Sequence, residues 1–194
     1  MKKYLLFISF LLLNFVVYAQ PQKRVDETVN NIRYVTEVPH GALEIAEPGT
    51  DGSVFQYNTG CGDNLFWKIV GFRLLAVPQL INLVDDMELT QAKLPSGKGR
   101  YRTGDAALMA LKEIIHNIPI EEFSGLKTAD FAAPYYFYEK GLKDKKKRTA
   151  LKEALLKWYA DNRKNIIFKV GQGYGNCECA GKHPVGGAYN LKTK

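Results

Sequence analysis

Cysteine is scarce in this chain, with three among 194 residues, and that excludes a small domain packed by disulfides. Beyond residue 18 no run of 18 apolar residues occurs, so the sequence does not describe a multi-pass membrane protein. Neither a charge excess nor a low apolar content marks a disordered tail. Apolar residues make up 46% of the chain and charged residues 24%, the proportions of a globular protein and not of a coiled coil.

What is present begins with an address. Lys2 and Lys3 precede an apolar run from Tyr4 to Tyr18, interrupted only by Ser9 and Asn14, and the run closes on Val17-Tyr18-Ala19. A positive start, a short greasy stretch and a small residue at the end are the parts of a cleavable signal peptide. The run is shorter than the roughly 20 residues a bilayer span needs. The expectation is therefore removal of residues 1–19 after Ala19 and a periplasmic or secreted product without a transmembrane segment. With no cysteine near the cut, a lipoprotein anchor is not expected. A start at Gln20 resembles exported proteins of Bacteroidota-type bacteria. Residues 20–194, about 175 in number, suit one globular domain large enough to bury its own core.

Charge is uneven along that domain. Residues 140–164 hold ten basic side chains against Asp144, Glu153 and Asp161, and residues 93–102 add Lys93, Lys98, Arg100 and Arg102 without an acid. A basic stripe attracts polyanions. Export makes nucleic acid an unsuitable partner and leaves envelope polyanions, with Lys145, Lys146, Lys147 and Arg148 as the contact candidates. The plainer reading is a solvated helix face.

Apolar spacing gives the elements. Val25, Val29 and Ile32 fit a helical stripe, although Ile32 to Thr36 also suits a strand. Ala42–Glu47 and Ser53–Tyr57 suit short strands across a Pro48–Gly52 turn. Asp63 is placed to cap a helix over Asn64–Gly71. Pro78 suits the first turn of the next helix, which ends near Asp85-Asp86. Residues 87–103, with Pro95, Gly97 and Gly99, suggest a long exposed loop. A helix capped by Thr103 or Asp105 then runs to about Asn117, and its wide apolar face calls for packing on more than one side. Lys145 to Asn162 repeats the helical pattern through Leu151, Leu155 and Trp158. Ile166–Phe168 and Ala188–Leu191 suit strands.

The segments Ala76-Val77-Pro78-Gln79-Leu80-Ile81-Asn82-Leu83-Val84-Asp85-Asp86 and Gly104-Asp105-Ala106-Ala107-Leu108-Met109-Ala110-Leu111-Lys112-Glu113-Ile114 resemble the second helix of a HEAT-type repeat and the first helix of the next. The likeness spans about residues 64–118. It implies paired antiparallel helices that bury small and aliphatic faces against each neighbour. The connecting loop is longer than a repeat junction, and no third copy is visible, so the resemblance implies a HEAT-like core and not a full solenoid. The expected fold is mainly α: a compact HEAT-like bundle over about 63–162, a small β-rich N-terminal segment and an irregular Gly/Cys C-terminal tail.

Chemistry-bearing residues are few. Cys61, Cys177 and Cys179 are disulfide candidates in an oxidising compartment. A bridge from Cys61 to either tail cysteine closes about 116 residues and contributes roughly 4–5 kcal/mol in the chain-entropy treatment. A Cys177–Cys179 ring is tighter, and each pairing leaves one thiol over. The same three cysteines with His183 make a sulfur and imidazole set suited to tetrahedral zinc, although Cys-x-Cys is closer than the usual ligand spacing. A Cys–His nucleophile lacks a third orienting group. Gly171, Gly173 and Gly175 feed no helix and so make a poor phosphate loop. Asp85-Asp86 and Glu121-Glu122 are adjacent pairs that diverge instead of facing one bond. Tyr135–Tyr138 offers rings that suit a glycan or fill a groove.

No coherent catalytic constellation emerges. The expected function is an exported, non-catalytic binding or scaffold domain, without a cofactor, for an envelope protein or glycan. The alternatives are an envelope hydrolase and a zinc-stabilised module. Convergence of Asp105, His116, Glu121 or His183 on one pocket would favour the hydrolase.

Overall fold

Residues 22–39, 60–94, 99–125, 142–170 and 186–192 are described by the computed structural model. The strands expected at 42–47 and 53–57, the aromatic run at 135–138 and the Gly/Cys tail at 171–185 lie outside those residues. What is described is mostly helical, with two small two-stranded sheets.

The N-terminal segment is helical where it is described. Helix α1 covers residues 22–30 and runs into a 3-10 turn at Asn31–Tyr34. Val25, Val29 and Ile32 are buried as one stripe, while Arg33 and Tyr34 face water. The 3.6-residue spacing therefore prevails over the strand propensity of Ile32–Thr36.

Helix α2 spans Asn64–Gly71 with Asp63 as its cap, whose Oδ1 accepts from the Phe66 amide at 2.8 Å. The second oxygen of Asp63 accepts from the Thr36 hydroxyl at 2.8 Å, so one carboxylate both starts α2 and ties the N-terminal segment to it. Gly62 precedes the cap at φ +75 with Pro39 Cγ 2.8 Å from where a Cβ would stand. Only glycine fits both the left-handed backbone and that approach. Helix α3 (Val77–Asn82) carries Pro78 in its first turn. The chain bends by 94° between Asn64–Gly71 and Arg73–Asn82, so α2 and α3 meet at a corner. Among the described residues no single helix is long and apolar enough to cross a membrane.

Residues 89–93 and 100–102, expected within an open loop, are strands instead. Strands β1 (Leu89–Lys93) and β2 (Arg100–Arg102) pair antiparallel, with an irregular register. Thr90 and Ala92 point inward on β1, Leu94 follows, and Tyr101 is 1% exposed on β2. The Thr90 hydroxyl donates to Tyr101 O at 2.9 Å. The alternation on β1 buries only threonine and alanine, side chains that carry little hydrophobic signal in a sequence.

Helix α4 (Thr103–Ile114) follows β2 directly and is buried almost throughout. It packs against α2, α3, the N-terminal 3-10 turn, the hairpin and the C-terminal strand, which accounts for an apolar face wider than one neighbour requires. Leu111 and Ile115 are fully buried. A short α5 (Ile120–Ser124) and the long α6 (Lys145–Asn162) close the side, with α6 packed on α3 and α5. Strands β3 (Ile166–Val170) and β4 (Gly187–Leu191) form the second hairpin. It is fastened to the end of α4 by the His116 amide, which donates to Tyr189 O at 2.9 Å.

Candidate functional site

Arg148, in the first turn of α6, is a heavily engaged polar group. Its side chain is 0% exposed and pairs with Asp105, itself 6% exposed. Arg148 Nε donates to Leu142 O, and Nη1 donates to Val84 O at 3.4 Å. The second Asp105 oxygen accepts from the Arg102 amide at 2.8 Å. A buried ion pair is tolerated when its remaining hydrogen-bond sites are filled in this way. Gly104 completes the junction: its amide donates to Asp86 O at 3.0 Å, and a Cβ there would run into Val84 O and approach Arg148 Nη1 at 2.8 Å. The end of α3, the start of α4 and the start of α6 thus meet around one guanidinium.

That placement corrects one sequence expectation. Arg148 is not available to a polyanion, because its charge is sealed against Asp105. The signal was in the spacing: Arg148, Leu151 and Leu155 fall at i, i+3 and i+7, on the stripe α6 buries. Lys145, Lys146 and Lys147 are exposed, as is Lys143 before them.

The other expected groups are placed as follows. Asp105 is engaged at the start of α4, and His116 is exposed beyond its other end, roughly 15 Å along the helix axis. Glu121 accepts from Lys112 Nζ at 2.6 Å. Asp85 pairs with Lys152 at 3.0 Å and accepts from Thr149 at 3.2 Å. Burial pushes the Asp85 carboxyl up, but Lys152 and Thr149 together outweigh it and hold it below its usual range. Tyr159 is shifted upward chiefly by burial. The structure therefore gives Asp105, Glu121 and Asp85 separate cationic partners; it does not bring them to one centre.

Cys61 precedes the α2 cap. Its amide donates to Glu37 Oε1 at 2.7 Å, and its carbonyl accepts from the Trp67 indole at 2.6 Å. Cys177, Cys179 and His183 lie outside the described residues. Among the described residues no group of three His, Cys, Asp or Glu side chains stands ready for a metal.

The class these features define is a mainly helical fold with a buried Asp–Arg tie and an exposed lysine segment that has no ion pair among the described residues. No family model, no curated protein and no solved structure matches the chain.

Proposed function

We propose that the protein is an exported, non-catalytic binding or scaffold domain, with a HEAT-like pairing of α3 and α4 as its frame. The observation that carries this reading is the engagement of the candidate carboxylates Asp105, Glu121 and Asp85. Asp105 is sealed on Arg148, Glu121 is bound by Lys112, and His116 stands apart from Asp105 at the far end of α4. A general acid or base needs a carboxyl or imidazole within hydrogen-bond reach of a substrate proton, and a carboxylate buried on a guanidinium does not offer that. Export after Ala19 belongs to the same proposal and rests on the Lys2–Ala19 pattern.

A tie between Cys61 and the C-terminal tail is also proposed. It is supported by the place of Cys61 just before the α2 cap, where its backbone is held by Glu37 and Trp67, and by the oxidising compartment that export implies. The zinc alternative needs a thiolate at Cys61, which a bridge consumes. Mass spectrometry of the unreduced protein separates the two: the disulfide form has one free thiol and no metal, and the zinc form has three thiols and retained zinc.

The functional reading is tested by incubating the purified protein with envelope glycans and peptides. No turnover above the protein-free control is expected. Hydrolysis that disappears in Glu121→Gln or His116→Ala would replace the binding reading with the hydrolase.

A further inference from the structure

The lysines of α6 fall into two sets. Lys152 pairs with Asp85 and Lys157 with Asp161. Residues 143–147 behave differently: all five are exposed, and they carry Lys143, Lys145, Lys146 and Lys147 against the single Asp144. Asp144 is the cap of α6, its carboxylate accepting from the Lys146 amide at 2.8 Å. None of the four ammonium groups has an ion pair among the described residues.

Two features make this segment more than a solvated turn. Leu142 on one side and Arg148 on the other are both fully buried, so the backbone of the basic segment is pinned at each end and only its lysine side chains are left to order on binding. Three of the lysines also occupy the first turn of an 18-residue helix, where the helix dipole disfavours positive charge. Intramolecular stability does not account for their position.

Their arrangement indicates what they meet. Consecutive helical residues project about 100° apart, so Lys145, Lys146 and Lys147 fan around the helix end and do not converge on one point. Such a fan suits an extended negative plane better than a single phosphate. We propose that residues 143–147 dock the protein on a phosphate-bearing anionic lipid surface. The contact is peripheral and reversible, made by charge alone, and weakened by salt. This rests on the binding reading above by naming its partner surface. The two can fail separately, because a vesicle assay does not detect hydrolysis and a hydrolysis assay does not detect lipid.

The test is co-sedimentation of the purified protein, in the form the cell leaves it, with phosphatidylcholine vesicles containing or lacking phosphatidylglycerol. Binding is expected only with the anionic lipid, at low salt, and it should fall steeply as salt rises. Replacing Lys143, Lys145, Lys146 and Lys147 by Gln should reduce partitioning by at least about tenfold. A control that removes the same charge elsewhere, Lys23, Lys68, Lys93 and Lys192 to Gln, should retain most of it. Circular dichroism of both variants establishes that they are folded. Equal loss in the two variants would reduce the effect to net charge and overturn the proposal. So would salt-insensitive binding, or retention on a soluble acidic polysaccharide with no vesicle binding.

Discussion

At the scale of single residues, the fold depends on close approaches that leave no slack. Gly104 lies where the Val84 and Asp86 carbonyls and the Arg148 guanidinium converge. A methyl group there must displace backbone at the end of α3, so Gly104→Ala should destabilise by about 1–3 kcal/mol, read as a lower denaturation midpoint with an unchanged slope. Asp85 offers a milder test. Its carboxyl is held below the ordinary range, so the stability it contributes is present above the unfolded pKa of about 3.9 and is lost as pH falls through the folded value. The Lys152 and Asp85 side chains keep 25% and 21% of their surface in water, and Asp85→Asn should therefore cost only on the order of 0.2–1 kcal/mol at pH 7. Denaturation at pH 7 and pH 2.5 checks the sign: the gap between wild type and variant should close at the acidic end, and a gap that widens there would contradict the assignment.

At the scale of elements, caps and spacing were legible in the sequence, and small-residue strands were not. Asp63 announced α2 because a carboxylate before an apolar stripe has one common use. In the structure it also holds Thr36, a contact between distant segments that no local pattern specifies. Asp63→Ala should accordingly cost about 1–2 kcal/mol through the lost cap alone, whereas Asp63→Asn should recover part of it; thermal unfolding of the two variants decides. The β1–β2 pairing is not legible in the sequence because Thr90 and Ala92 bury little apolar area, so the alternation carries no hydrophobic signal. Arg148 was misplaced for a related reason. Composition grouped it with Lys145–Lys147, while its position on the Leu151–Leu155 stripe fixed its destination. The lysines left outside make a prediction of the opposite sign. Their replacement by Gln should leave α6 equally stable or more so, by about 0.3–1 kcal/mol for each removed charge in the first turn, measured by urea denaturation at low salt. The site was thus legible as a charged segment, but the division between sealed and exposed charge required three-dimensional neighbours.

At the scale of the whole molecule, α4 is surrounded by the N-terminal turn, α2, α3, the first hairpin and β4, and α6 is fastened to that group through Arg148. Long-range ties of this kind predict a single cooperative unfolding transition. The central claim is that the Asp105–Arg148 pair holds three helices together and is unavailable for chemistry. A double-mutant cycle on Arg148→Met and Asp105→Asn, followed by equilibrium unfolding, tests it most directly. Arg148→Met should lose about 3–5 kcal/mol, because it leaves a buried carboxylate and the Leu142 and Val84 carbonyls without their partner. The double variant should lose less than the sum of the two single changes. Two single variants as stable as wild type, or losses that simply add, would contradict it.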